Sequence, residues 1–260
     1  MVPIPITRRT RIAADLYPSN AALYADPTLI EGVDYGRRYR RHLDDDRSPR
    51  SRTASVRTTV VAPHGGGIEG GTSQLCLAVA GYHPADLAPT TATGPVHDYW
   101  MFEGLRSSGN RALHVSSNHC DDTVARAMCS DSLNVLSLHG CTTVTAGLEA
   151  GTRAVLLGGL NHGLRLYLME EFAAAGIRAV NVSGGQQLAG DDPQNICNRT
   201  LLGTGAQLEL TTELRTAMFA PTRNARADAG ANTLPLFWSF ITAVRTAIQR
   251  QEATQPIRCA

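Results

Sequence analysis

The sequence contains no lysine. All 24 of its basic side chains are arginine, set against 23 acidic ones for a formal net charge of +1. That absence excludes a Walker-type phosphate loop, a Schiff-base lysine and a Ser-Lys dyad, each of which needs a side-chain amine. Near-balanced charge argues against a general nucleic-acid-binding surface, so no nucleic-acid partner is expected. No apolar run approaches the roughly 20 residues of a membrane span, so no membrane partner is expected either. No CxxC occurs among the six cysteines, at 76, 120, 129, 141, 197 and 259, and the chain is too long for a disulfide-dense mini-scaffold. Cys76, Cys141 and Cys197 lie in apolar or strand-like runs and read as buried free thiols. Cys141 has a sharper alternative as a nucleophile, because His139 two residues away on a strand shares its face. No secretory or twin-arginine signal is expected, because Arg8-Arg9 has no apolar run behind it. The expected location is cytoplasmic, or outside the cell only after lysis.

What is present points to a compact α/β protein. The hydrophobic share of 43% is enough for a sizeable core, and 260 residues permit one large domain or two small ones. Residues 1–57 read as a leader followed by a polar surface loop, with residues 37–57 rich in Arg, Asp and Ser and lacking any apolar period. Residues 58–260 read as the main domain, with the N-terminal segment packed on it. Strands are predicted at Thr58–Pro63, Asp98–Phe102, Arg111–Ser116, Asn134–His139, Ala154–Gly159 and Gly205–Leu210. Helices are predicted over Gln74–Ala80, capped by Thr72 or Ser73, and over Thr123–Cys129, capped by Asp121 or Asp122. Two more follow at Leu160–Ala175 and Leu234–Arg250. The first has Leu164, Leu168 and Phe172 on one stripe; the second has Phe237, Ile241, Val244 and Ile248. Strands alternating with helices predict a single three-layer α/β/α domain, whose ligands gather at the carboxyl ends of the strands.

Polar residues fall at those ends. His64 follows the VVAP strand, Glu69 comes five residues later across a glycine run, and His139 follows NVLSL. Imidazole and carboxylate are good zinc ligands, and a catalytic zinc wants three protein ligands and an open position. The glycines between His64 and Glu69 let the backbone fold tightly and leave room for a substrate. The three residues together would make a His₂Glu site holding one Zn²⁺, suited to metal-assisted amide hydrolysis. Glu209 lies in an otherwise apolar or amide-bearing strand, where an ionised carboxylate is costly unless it is paired or functional. Beside a zinc site it is the candidate general base and acid. Taken singly each signal is weak; the combination carries the reading.

The runs APHGGGIEGGTSQ, DYWMFEGLRSSGNRALHVSSNHCDD, LSLHGC, VLLGGLN and NICNRTLLGTGAQLELTTELR resemble the poly-γ-glutamate hydrolase family. So do DLYPSNAALYA and EGVDY upstream, and the likeness spans roughly residues 15 to 248. The resemblance implies an open, mixed-sheet, zinc carboxypeptidase-like fold and a single zinc. It also implies hydrolysis of the γ-glutamyl amide bonds of poly-γ-glutamate to short oligomers. Its implied metal ligands are His64, Glu69 and His139, with His114 and His119 as competitors for the third place, and Glu209 is its implied general base. The chain departs from the family's E-P-G-T-S-E pattern at Gly70 and Gln74, which loosens the loop and removes one charge. A polyanionic substrate calls for arginine forks. Arg199 is the first candidate, with Asn198 beside it, followed by Arg106 and Arg215. The alternatives are a related zinc amidohydrolase acting on N-acyl amino acids or on peptidoglycan γ-glutamyl bonds, and a metal-free binding module of the same fold.

Overall fold

Alternation of apolar side chains along the strands builds a core on both faces of one sheet. The computed structural model describes residues 15–41, 58–90, 96–186, 188–221, 230 and 232–255. Cys259, the leader before residue 15 and most of the Arg-rich stretch (42–57) lie outside the described residues. The strands are β1 (Tyr35–Arg40), β2 (Thr58–Gly66), β3 (Asp98–Gly104), β4 (Asn134–Cys141), β5 (Val155–Gly158), β6 (Ala179–Asn181) and β7 (Ala206–Thr211). They form a seven-stranded sheet in the order β1-β3-β2-β4-β7-β5-β6. β3, β2, β4 and β7 run parallel, while β1 pairs antiparallel with β3 and β5 antiparallel with β7. The architecture is therefore an open mixed sheet with helices on both faces.

The helices are α1 (Asn20–Tyr24), α2 (Thr72–Ala80), α3 (Thr123–Ser130), α4 (His162–Ala174), α5 (Thr212–Thr216) and α6 (Pro235–Ala253). Val60, Met101, Leu136 and Leu208 face the layer of α2, α4 and α6, where Leu168, Phe172, Phe237 and Phe240 are fully buried. The next residue along, at Val61, Trp100 and Val135, faces the opposite layer with Leu23 of α1 and Met128 of α3. This inversion between neighbours is the period-2 signature of a sheet buried on both sides. The predicted stripes of α4 and α6 are the buried ones: Leu164, Ile241, Val244 and Ile248 are each at most 3% exposed.

Three local readings are corrected. Arg37–Arg40 do not belong to a surface loop: they form most of edge strand β1. The arginines there serve an edge, where charge blocks further strand addition. Arg37 reaches Glu31 and Asp122, and Arg38 reaches Glu103. Residues 111–116 are not a strand; a short 3₁₀ turn (Asn110–Leu113) leads into an extended segment that pairs with no strand and crosses the carboxyl ends of the sheet. Thr72 and Ser73 do not cap α2, whose N-cap is Gly71 with φ 95°. Their hydroxyls bind the preceding loop instead: Thr72 donates to the Glu69 carbonyl at 2.8 Å, and Ser73 accepts from the Gly66 amide at 2.9 Å. Asp122 does cap α3, and Asn161 caps α4.

Candidate metal centre

The site begins with a defect in β2. Residues 59–62 pair in register with β3, but Ala62 faces Met101 while Gly65 faces Glu103, so an extra residue is inserted at Pro63-His64. Proline cannot donate to a ladder and belongs in a central strand only where pairing breaks. Pairing of β2 with β4 stops at Val61 for the same reason. The bulge reverses the alternation. By strict period 2, His64 would point with Val60 and Ala62 into the α2/α4/α6 layer; instead its ring stacks on His114, 3.9 Å between centroids, on the other face. Gly66 then turns the chain at φ 61°, where a Cβ would lie 2.4 Å from the Gly104 carbonyl oxygen.

β4 supplies the second imidazole. Ser137 and His139 share a face with Val135, and His139 is in register with Glu209 on β7. β2 and β4 flank the point where the strand order reverses, since β3 lies on one side of β2 and β4 on the other. Crevices at such points hold ligands.

Three donor groups converge here. His64 Nδ1 lies 3.1 Å from His139 Nδ1 and 3.1 Å from Glu69 Oε1, and His139 Nδ1 lies 3.8 Å from Glu69 Oε2. Each ring is held by its other nitrogen. His64 Nε2 donates to the Val115 carbonyl at 2.8 Å, and His139 Nε2 meets Ser137 Oγ at 2.7 Å. The two Nδ1 atoms therefore face each other, and either a shared proton or a cation can lie between them. Glu69 adds a carboxylate held by the Gly140 amide at 2.8 Å. The donor set and its spacing fit a cation with bonds of about 2.0–2.1 Å. Burial and the neighbouring His64 push His139 down to about 3, so it is neutral near pH 7. Burial opposes the charge on His64 and Glu69 alike, but their mutual attraction outweighs it, raising His64 and lowering Glu69.

A fourth donor stands beside them. His114, together with His64 and Glu69, places ligand atoms within 4.8 Å of one another. Two sets therefore share His64 and Glu69: one adds His114, the other adds His139, whose Nδ1 lies 3.1 Å from His64 Nδ1 and 3.8 Å from Glu69 Oε2. His119 is exposed and does not line the cleft.

Glu209 is 6% exposed and faces this cluster. Burial, reinforced by Glu69, raises its carboxyl well above the usual range, while Arg215 and a 3.0 Å hydrogen bond from Gln207 oppose the rise. Gln207 is fixed in turn by the Asn195 amide at 2.9 Å. The cleft over these groups has a volume of about 850 Å³. Cys141 lines it, but burial and the nearby Glu209 raise the thiol far above neutrality, which disposes of the nucleophile reading.

Of the four residues expected to grip substrate, Arg215 alone lines the cleft. Its guanidinium lies across Gly140 and donates to the carbonyls of Gly70 and Leu210. Asn198 is corrected to a loop staple: its oxygen accepts from the amides of Leu160 and Gly205, and its nitrogen donates to the carbonyls of Gly190 and Asp192. With both ends used, it has nothing left for a ligand. Arg199 bonds Gln194 and faces a separate shallow depression, and Arg106 pairs with Asp34 at 2.8 Å. The cleft-lining arginine that sequence reasoning missed is Arg111, exposed at the mouth. It sits in the segment misread as a strand.

Residues 40–243 match the family described as poly-gamma-glutamate hydrolase. The chain belongs to this family. The match contains β2, β4 and β7, and with them His64, Glu69, His139 and Glu209. The SPbeta prophage-derived protein YoqZ of Bacillus subtilis (strain 168) is 34% identical over 163 residues, 63% of this chain and 52% of that protein. YndL of the same organism is 32% identical over 160 residues, 62% of this chain and 55% of that protein. The matched region thus spans about half the length of these curated relatives. A bacteriophage poly-gamma-glutamate hydrolase shares the fold with a TM-score of 0.73 at 28% identity, covering 93% of this chain and all (100%) of that one. The zinc-free, apo form of YndL gives a TM-score of 0.69 at 27% identity over 92% of this chain and 99% of that one. The fold of the poly-gamma-glutamate hydrolase family is therefore the fold described above.

Proposed function

We propose that the protein is a zinc-dependent hydrolase of the γ-glutamyl amide bonds of poly-γ-glutamate, with one zinc held by His64, Glu69 and His139. The observation that carries the reading is the pair of opposed Nδ1 atoms 3.1 Å apart, each ring locked by its other nitrogen, with Glu69 closing the triangle. Family membership supplies the substrate class, and the zinc-free description of YndL supports the metal.

A zinc ion there would supply Lewis-acid polarisation of an amide carbonyl and of an attacking water. The remaining work falls to the chain. Glu209 is buried, and burial with the neighbouring Glu69 raises its carboxyl well above the usual range, so it takes up a proton more readily than a free carboxylate does. It takes the proton of the water and passes it to the departing amine. The Asn195–Gln207 pair holds one carboxylate oxygen of Glu209, leaving the other for that transfer. Arg111, which makes no ion pair with a described residue, is the anchor proposed for a substrate α-carboxylate at the cleft mouth; guanidinium forks suit that task. Arg215 holds the Glu69 loop through Gly70 and brings positive charge to the cleft floor.

The test is direct. Purified protein with one equivalent of zinc, incubated with poly-γ-glutamate, is expected to shorten the polymer to oligomers on size-exclusion chromatography, and chelation is expected to stop it. Full polymer length after prolonged incubation of zinc-loaded protein would overturn the substrate. Cleavage of small N-acyl amino acids in the same sample would point to the related amidohydrolase.

A further inference from the structure

Beside the cleft lies a second concavity with arginines of its own. It is a shallow depression of about 420 Å³ between α3 and the 3₁₀ turn Ile196–Asn198, lined by Arg126, Ala127, Ser130, Asn198, Arg199 and Thr200. The turn is a wall shared with the cleft: Asn195, its N-cap, lines the cleft, and Asn198 lines the depression. The charge of the depression is one-sided. Among the described residues, neither Arg126 nor Arg199 pairs with a carboxylate; Arg199 donates only to the backbone carbonyl and the side-chain oxygen of Gln194. Arg37, Arg38, Arg41, Arg106 and Arg250, by contrast, each meet an Asp or a Glu. The carboxylates closest in sequence are engaged elsewhere. Asp121 accepts the Ala21 amide, Asp122 accepts Tyr24 and the Ala125 amide, and Asp131 pairs with Arg41. Asp191 accepts the Gly185 amide, and Asp192 accepts Asn118. Gln194 is a neutral partner, so it orients the Arg199 fork without cancelling its charge. Two uncompensated guanidiniums on one concave surface attract an anion, and their planar forks suit carboxylates.

Resting on the polymer substrate proposed above, we propose that this depression is an exosite, which holds α-carboxylates of the poly-γ-glutamate chain where it runs out of the cleft past the 3₁₀ turn. The substrate carries one free carboxylate on every residue, so each residue beyond the cleft presents an anion to the surface it crosses. Arg199, held on Gln194 two residues beyond Asp192 of the cleft lining, meets the chain first, and Arg126 on α3 continues the track. Once the cleft is filled, a second contact by the same chain is intramolecular and adds affinity through effective concentration. Neither arginine touches the reacting bond, so the exosite strengthens ground state and transition state alike and lowers KM without changing kcat. An oligomer that fills only the cleft gains nothing from it. The exosite therefore favours long chains over short products.

Steady-state kinetics of the zinc-loaded full chain, on long poly-γ-glutamate and on γ-glutamyl oligomers of a few residues, test this. In the double variant Arg126→Gln with Arg199→Gln, KM for the polymer is expected to rise on the order of tenfold, as fits two exposed charge contacts. Its kcat should not change, and its KM for the oligomers should stay at the wild-type value, which also shows that the variant is folded. The double variant Arg126→Lys with Arg199→Lys keeps the charge and should recover most of the lost affinity. Added salt should raise the polymer KM more steeply in wild type than in the glutamine variant. A polymer KM left at the wild-type value in the glutamine variant, or an equal rise on polymer and oligomers, would overturn the exosite and leave the proposed function standing. Failure of wild type to cleave either substrate would overturn the proposed function and the exosite with it.

Discussion

Glu209 shows how a single buried charge becomes useful. It lies between Gln207, which donates to it, and the metal cluster, which repels it through Glu69. Glu209→Gln should keep stoichiometric zinc and lose about 10²–10⁴-fold in turnover, the usual contribution of a positioned base; a rate near wild type would remove it from the mechanism. The role proposed for Arg111 is in binding and not in chemistry. Arg111→Ala should raise KM on the order of tenfold, worth about 1.4 kcal/mol, with kcat little changed, and steady-state kinetics on γ-glutamyl oligomers separate the two. The thiols are expected to be inert. Burial raises Cys76, Cys129, Cys141 and Cys197, and brings Cys120 up to about 12, so none supplies thiolate near neutral pH. These five should react with a thiol reagent at pH 8 only after denaturation, and rapid labelling of Cys141 in native protein would contradict its assigned environment. Residue types were legible from sequence here: His64, Glu69, His139 and Glu209 all line one cleft. Partnerships were not. Nothing local marks Asn198 as a four-bond staple or Asp15 as the partner of His114, because both depend on backbone groups brought together by distant loops.

At the scale of elements, the bulge in β2 decides which layer receives His64. Deleting Pro63 would remove the extra residue and leave His64 directly after Ala62, on the face of Val61 that it already occupies. The expected outcome is a folded protein that keeps zinc, checked by elemental analysis beside far-ultraviolet circular dichroism; loss of zinc from the folded protein would show that the bulge sets more than the face. β4 and β7 deliver His139 and Glu209 in register, so the parallel pairing itself sets the distance between these two side chains. The long amphipathic elements α4 and α6 were readable, because a stripe of Leu, Ile, Val and Phe at helical spacing has one favourable burial. Strand β1 and the segment 111–116 were misread for opposite reasons. β1 is an edge strand whose arginines satisfy partners elsewhere, and so it lacks alternation. Residues 111–113 close a 3₁₀ turn, and the extended residues that follow, 114–116, have no strand to pair with.

For the molecule as a whole, stability comes from the two cores on either face of the sheet. Phe240 is fully buried on α6 and stacks on Phe172 with ring centroids 5.1 Å apart. Phe240→Ala should cost about 3–5 kcal/mol with zinc affinity in the surviving folded fraction unchanged, measured by denaturant unfolding and chelator competition. Zinc binding should also raise the melting temperature, since a ligand present at 100 times its Kd adds about 2.7 kcal/mol to the folded state. An unchanged melting temperature on zinc removal would mean that the metal does not bind the native fold.

The absence of lysine, the alternation of strand and helix and the residue types of the site are properties of the sequence by itself. They follow from local periodicity and from which side chains can bind a metal or move a proton. Only the tertiary structure decided which arginine faces the cleft, that Asn198 is consumed by backbone, and that Asp15 and His114 meet. These depend on where distant segments cross the carboxyl ends of β2, β4 and β7. Contacts between residues about a hundred positions apart leave no period in the sequence from which to read them.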